Sequence, residues 1–231
     1  KQVDIIVTDY VSPIFSGAIK NELWYHHAQG RFLHPSGRGT IIIAPSSHTE
    51  TNPTGTTMEQ YPACYNYDYA NQVPEVIGVI ASNVYDQMET GWHDVCQTPY
   101  IPNASKYSFP TNYGAYYDVA SPAAGFYDAT AIVVRTPQDH SEVAIVGGVA
   151  ALLLANNPYL TDIQMRDRIR NGADKVGGYN YTGPLQHSDQ MAAGRINCIN
   201  SFWGWPLNSN SIQVAEKSIK ISTDVQCWHI L

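Results

Sequence analysis

Residues 142–156 read EVAIVGGVAALLLAN, an almost wholly apolar run on which the fold depends. The run is shorter than the roughly 20 apolar residues that span a membrane, and it is too apolar for a surface helix. It therefore predicts a central buried helix, in which Gly147 and Gly148 let a neighbouring group approach closely. Thr161, with Gln164 three positions on, predicts a capping box at the start of the next helix.

Short runs rich in β-branched residues come before this helix and predict the strands around it. They cover residues 3–7, 40–44, 76–81 and 117–120. Continuous apolar runs of this kind are typical of parallel sheets that are covered on both faces. We therefore expect an α/β domain over residues 1–200, with a mostly parallel sheet and helices on both faces, and a small extension over 201–231.

A further helix is predicted between the first two strands, over Ser16–Gln29. The residues expected on its buried face recur at helical spacing and are Ala18, Ile19, Leu23, Trp24 and His27.

Composition excludes several classes of protein. Of the 231 residues, 44% are hydrophobic and 14% are charged, which excludes a disordered chain, a coiled coil and a collagen-like chain. The net charge of −7, without a Lys/Arg cluster, argues against a nucleic-acid partner. No apolar run is long enough for a membrane span.

Cysteines and glycosylation sequons favour an extracellular location. Cys64, Cys96, Cys198 and Cys227 include no C-x-x-C pair, so a zinc or redox site has little support. Their even number predicts two disulfides, and we expect neighbours in sequence to pair, Cys64 with Cys96 and Cys198 with Cys227. The sequons at Asn103 and Asn180 add to this expectation of a secreted, disulfide-bonded glycoprotein.

Seven blocks of sequence together resemble the latter part of the catalytic domain of subtilisin-like serine proteases, including the kexin-like branch. The blocks are Val3–Ile6, Ser16–Gln29, Gly39–Ala44, Pro74–Val79, Tyr117–Pro122, Val146–Leu154 and Gly194–Asn197. The resemblance implies a subtilisin-like fold whose N-terminal part is absent from this chain. Because the chain begins almost directly on a strand, we expect a processed product or one piece of a larger domain.

The residues that the resemblance places at the active site depart from the family pattern. A subtilase uses a Ser nucleophile, a His base, an Asp and an oxyanion Asn, and the family's Asp and His precede the first strand seen here. His140 stands at the nucleophile position, Gln138 replaces a Gly of the motif, and His48 stands at the oxyanion position. Loss of one oxyanion donor alone costs about 10²–10³ in turnover, so we expect peptide hydrolysis to be lost.

The substrate-binding edge of the family falls on Asp9, Tyr10 and Val11. Val11 replaces a Gly there and would crowd the backbone of an extended peptide. One alternative keeps catalysis: Ser141 becomes the nucleophile if the helix entry is shifted by one residue. The plainer interpretation is that Asp139 and Ser141 cap the helix while His140 packs or faces solvent.

Metal, cofactor and ligand sites receive weaker support from the sequence. His48 and His140 could bind a metal ion together with Asp9 or Asp139, if the fold brings them together. A structural calcium site is an open alternative, with Asp94, Asp118 and Asp128 considered and none assigned, and no other cofactor is expected. Two Tyr-rich segments, 61–69 and 107–127, could form a glycan-binding or protein-binding surface, although loop packing explains them as well.

Together these features predict a catalytically inactive pseudoprotease that acts as an extracellular binding or structural scaffold. The expected partner is an N-terminal fragment of the same precursor, or another subunit, packed beside Val3–Val7. The alternative is an active subtilisin-like endopeptidase whose Asp and His come from a separate N-terminal fragment. A metal-binding or glycan-binding module is a third hypothesis.

Overall fold

The fold is given by a computed structural model, which describes residues 3–35, 37–47, 59–67, 76–82, 86–88, 111–114, 116–122, 140–182, 188 and 190–203. Within these ranges the strands are β1 (Ile5–Val7), β2 (Ile41–Pro45), β3 (Val76–Ser82) and β4 (Val119–Pro122). The α-helices are α1 (Gly17–Leu33), α2 (Ser141–Asn156), α3 (Asp162–Asn171) and α4 (Cys198–Trp203), and a 3₁₀ helix covers Ala63–Tyr67. The expected extension over 201–231 lies almost wholly outside the described residues.

The strands form one parallel sheet in the order β1-β2-β3-β4. In the register, Ile6 lies beside Ile42 and Val79 lies beside Val119. The predicted α/β class with a parallel sheet is therefore confirmed. Because side chains alternate along each strand, the inner strands contribute to a separate apolar cluster on each face of the sheet.

Helix α2 forms the core on one face of the sheet, as its apolar sequence predicts. Val146, Ala150 and Leu153 are fully buried there. A Cβ on Gly147 would lie 2.6 Å from Cγ2 of Val7, so this glycine is what lets β1 approach the helix. Burial is not complete, because Leu152 faces solvent on the outer side. No helix in the described ranges is both long and apolar enough to cross a membrane.

Helix α3 begins with the predicted capping box. The Gln164 amide donates to Oγ1 of Thr161 at 3.2 Å, and the Thr161 amide donates to Oε1 of Gln164 at 3.0 Å. Two backbone donors at the helix start are thereby satisfied without tertiary help, so a local sequence signal was enough to predict them.

Aromatic side chains fill the cluster on the opposite face of the sheet. Tyr61, Tyr65 and Tyr117 are all buried, and they pack with Ile42 and Ile80. The described tyrosines of the two Tyr-rich segments therefore include three core residues, which supports loop packing over a binding surface for these positions.

Helix α1 corrects the sequence prediction for residues 16–29. It runs four residues further, to Leu33, and of the expected buried face only Leu23 and His27 pack inward. Ile19 and Trp24 are exposed, whereas Lys20 is buried. The periodicity misleads because basic side chains also lie on the inner side, where His27 and Arg31 contact the buried Asp162, so apolar residues alone do not mark that face.

Candidate functional site

The carboxyl end of the sheet carries a buried polar network. Ser46 follows β2, and its Oγ lies 2.8 Å from Oγ1 of Thr111. Thr111 Oγ1 also accepts from the Ala81 amide of β3 at 3.2 Å, and Asn112 Nδ2 donates to the Ser46 carbonyl at 2.9 Å. This is the edge where ligands bind in many parallel α/β folds.

His140 lies at the N-cap of α2, at the start of the helix that packs on all four strands. Its φ of 44° and ψ of 41° place it in the left-handed region, and its side chain makes no capping hydrogen bond. Ser47, beyond the end of β2, has a positive φ of 63° as well. Non-glycine residues in this conformation store backbone strain, which is concentrated at functional sites in many proteins.

A carboxylate of the first turn of α2 holds the imidazole of His140. Nδ1 of His140 lies 3.2 Å from Oε1 of Glu142. His140 is 9% exposed and Glu142 is 1% exposed, so the pair is enclosed by protein. A carboxylate on one ring nitrogen fixes the orientation of the ring, and the helix N-terminus favours the negative charge.

Three buried polar atoms in this part of the fold have no hydrogen-bond partner: Glu142 Oε2, Ser82 Oγ and Ser121 Oγ. Ser82 ends β3, and Ser121 lies in β4 beside Ala81 in the register. By strand alternation, Ser121 faces α2 with Val119, whereas Ser82 faces the opposite side with Ile80. The three atoms therefore do not converge on one point, and they do not define a ligand cradle.

The other residues assigned to the site by sequence are only partly described. Ser141 is the first residue of α2, whereas His48, Gln138 and Asp139 lie outside the described residues. The expected caps are wrong in one respect, because His140 itself occupies the N-cap position.

The predicted substrate edge follows β1. Asp9 and Tyr10 are exposed, Val11 is half-buried, and the Tyr10 amide donates to Thr8 Oγ1 at 3.0 Å. Ser12 then exchanges backbone hydrogen bonds with Tyr61 at 3.0 and 2.9 Å. The chain already pairs with itself directly beyond this segment, and the role of residues 9–11 stays a prediction.

Among the described residues, no group of three or more His, Cys, Asp or Glu side chains could hold a metal ion. Asp118, considered for calcium, instead accepts from Arg166 Nε at 2.8 Å and from the Gly78 amide at 3.0 Å. Asp94 and Asp128 lie outside the described part of the chain.

The disulfide prediction is wrong. Cys64 and Cys198 are both free thiols, so neither expected pair, Cys64–Cys96 or Cys198–Cys227, is formed. Cys64 is buried in the 3₁₀ helix, where its Sγ accepts from the Gln60 amide at 3.4 Å. Burial disfavours the thiolate and raises the pKa of Cys64 to about 12.

Loss of the disulfides removes the main support for the secreted, glycoprotein description. The side chain of Asn180 is exposed, but an exposed sequon alone shows no glycan, and Asn103 lies outside the described residues. Neither the fold nor the similarity to known proteins supports secretion or glycosylation. The extracellular location remains a prediction from the sequence.

Thiol reactivity distinguishes the two described cysteines. We expect iodoacetamide at pH 8 to modify the half-buried Cys198 at least about tenfold faster than Cys64, because only the thiolate reacts and Cys64 stays protonated. Peptide mass spectrometry after timed quenching measures both rates. The two rates should converge in 6 M guanidinium chloride, and equal rates in the folded protein would contradict the assigned burial.

Large apolar side chains are exposed on β1 and on α1. Ile6 and Val7 of β1 are 43% and 45% exposed. On α1, Trp24 and Tyr25 are about half exposed and Phe32 is 90% exposed. At 100° per residue, Trp24, Tyr25 and Phe32 share one side of the helix, here called the α1 outer face. Sequence analysis missed this face because it expected Trp24 to pack inward.

Comparison with known proteins shows a fold but no family. No family model matches the chain, and no curated protein matches it. Among solved structures, the prenylagaramide maturation protease PagA is similar, with a TM-score of 0.55 and 15% sequence identity over 87% of this chain. The chain spans 62% of the length of the PagA chain.

These comparisons correct the assignment to the subtilisin-like serine proteases. That assignment does not stand, because no family model supports it and identity of 15% to a solved structure shows the fold alone. The physical reason lies in the blocks themselves. Runs such as Gly39–Ala44 and Val146–Leu154 are the apolar strands and helices that any buried parallel sheet requires. Such runs indicate buried secondary structure and do not identify a family.

Proposed function

We propose that this chain is a catalytically inactive protein that keeps a protease-like framework and serves as a binding scaffold for a second polypeptide. The observation that carries the proposal is the exposed apolar surface of β1 and the α1 outer face. Scattered apolar residues on a surface are ordinary, but here three aromatic rings share one side of a helix, and an apolar strand ends the sheet formed by the described residues. Complete burial of a fully exposed side chain of this kind contributes about 1.5–3 kcal/mol, so Phe32 at 90% exposure would contribute most and the half-exposed residues less.

Enclosure of the His140–Glu142 pair supports the absence of catalysis. A general base has to come within hydrogen-bond reach of the proton that it removes. A histidine with a carboxylate on Nδ1 acts as a base through Nε2, so the contact with Glu142 does not itself oppose catalysis. Enclosure does, because the imidazole of His140 is only 9% exposed and little of the ring is open to a peptide substrate.

Similarity to PagA supports the protease-like framework in this proposal. PagA is a maturation protease, and the two chains share an arrangement of strands and helices over 87% of this chain. Since the chain spans 62% of the PagA length, a partner that adds further structural elements is consistent with the proposal. The partner we favour is an N-terminal fragment of the same precursor or another subunit of one assembly.

A fluorophosphonate probe tests the absence of catalysis. Native material, including any bound partner, is incubated with the probe beside trypsin as a positive control, and labelled peptides are identified by mass spectrometry. We expect no labelling above that of heat-denatured protein. Labelling of Ser141 that disappears in Ser141→Ala would overturn the proposal and support an active serine hydrolase.

Native mass spectrometry of the tagged chain, isolated from its source, tests the scaffold role. We expect a stoichiometric second polypeptide that is lost in Phe32→Ser, because Phe32 is the most exposed aromatic residue of the α1 outer face. Leu152→Ser is the control, since it removes a large apolar residue that is 52% exposed on α2, outside the α1 outer face. A chain that is always isolated alone, or a partner lost equally in both variants, would contradict the proposal.

A further inference from the structure

The outer edge of β1 presents main-chain groups that β2 does not use. The Thr8 amide donates to β2 at 3.0 Å, and the Asp4 carbonyl accepts from β2 at 2.9 Å. Because consecutive residues of a strand direct their N–H and C=O groups to opposite edges, those of Ile5 and Val7 point away from β2. No strand pairs with that edge in the part of the chain that the structure describes.

The side chains of β1 have the composition of an inner strand. Ile5 packs against the cluster on the α2 face, and Val7 contacts α2 at Gly147, whereas Ile6 points to the opposite face. Edge strands are usually protected by lysine, proline or a bulge, and Ile5–Val7 has none of these. An edge without such protection is a template for pairing with a strand of another chain.

We propose that a second, different polypeptide adds an apolar strand to this edge and pairs with the main-chain groups of Ile5 and Val7. This inference deepens the scaffold proposal and rests on it. A second copy of the chain is the less favourable occupant, because each copy carries a net charge of −7 and like charges oppose association. Asp9, exposed just beyond β1, fits a partner strand with basic flanks.

Hydrogen exchange of single amides provides the test, with an internal reference. In the isolated chain we expect the Val7 amide to exchange faster than the Thr8 amide, which is bonded to β2. The probe is a synthetic peptide with the sequence of Gly39–Pro45, which contains β2, flanked by two lysines at each end. Saturating peptide should slow exchange at Val7 by at least about tenfold and leave Thr8 unchanged.

Two variants separate main-chain pairing from side-chain contact. Val7→Pro removes the outward N–H, which an edge position tolerates, and should abolish peptide binding measured by fluorescence anisotropy. Val7→Thr keeps the N–H and should retain binding. If Val7→Pro fails to fold, Ile5→Pro removes the neighbouring outward N–H in the same way.

Four results would overturn this inference. They are a Val7 amide that is already as protected as Thr8 in the isolated chain, no slowing with saturating peptide, equal binding by Val7→Pro and Val7→Thr, and Val7 protection that rises with protein concentration alone. The last result would identify a second copy as the occupant. None of them affects the fluorophosphonate result or the Phe32→Ser test, so failure here is distinguishable from failure of the scaffold proposal.

Discussion

Replacing Asp162 with asparagine is expected to destabilise the fold by about 3 kcal/mol, because the guanidinium of Arg31 loses its buried carboxylate and His27 loses a neighbouring carboxylate oxygen. The Asp162 side chain is fully buried. It accepts from Arg31 Nη2 at 3.2 and 2.9 Å, and its Oδ2 lies 3.3 Å from Nδ1 of His27. Arg31 and His27 belong to α1, and Asp162 is the first residue of α3. This carboxylate therefore joins two helices, through residues that are 131 positions apart in the sequence.

Loosening of α1 is the specific consequence expected of Asp162→Asn. Another anchor near the start of the helix is the bond at 3.0 Å from Tyr65 Oη to the Ser16 carbonyl. Urea unfolding measures the free energy, and hydrogen exchange along α1 measures the local loosening. Asp167→Asn, an exposed aspartate on the same helix, is the control and should change stability by less than about 0.5 kcal/mol. Equal effects of the two substitutions would refute the anchoring role of Asp162.

Replacing Asp118 with asparagine is expected to lower the free energy of unfolding by about 3–5 kcal/mol, which is the range for a buried ion pair that loses one partner. Asp118 is 1% exposed and immediately precedes β4. Its Oδ1 lies 2.7 Å from Arg166 Nη2 and 3.4 Å from Arg170 Nη1, while its Oδ2 accepts from the Gly78 amide at 3.0 Å. The side chain thus joins α3 to the middle of the sheet, and asparagine would leave the two guanidinium groups without their carboxylate.

Asp86→Asn is the matched control for Asp118→Asn. Asp86 also pairs with an arginine, Arg195, but both side chains are about one third exposed, so solvent screens the pair. We expect Asp86→Asn to lower the free energy of unfolding by less than about 1 kcal/mol, measured by the same urea titration. If Asp86→Asn lowers the free energy of unfolding as much as Asp118→Asn does, burial does not explain how Asp118 stabilises the fold.

Part of the candidate site could have been inferred from sequence and part could not. The apolar run over residues 142–156 predicts a buried helix, and His140 lies just before that run. The sequence therefore places His140 near the start of α2. Its pairing with Glu142, two residues away, is a contact that sequence neighbours can suggest but not establish. The Ser46–Thr111 contact joins residues 65 positions apart and carries no local signal.

Family resemblance failed for a related reason. Apolar blocks at matching spacing describe how a parallel sheet is built, and many unrelated chains satisfy that requirement. Placing His140 and His48 at the family's nucleophile and oxyanion positions from such blocks exceeded what those blocks can show. The disulfide prediction failed similarly, since an even number of cysteines says nothing of whether Cys64 and Cys198 reach a partner.

The amino-acid sequence by itself determines the buried helix α2, the strands of the parallel sheet and the capping box of Thr161, because each depends on the composition of a few consecutive residues. Tertiary structure decides which side of α1 faces inward, which basic side chains contact Asp162 and Asp118, and that β1 ends the described sheet. These features arise from contacts between residues far apart in the chain, whose energies depend on burial that no local pattern records.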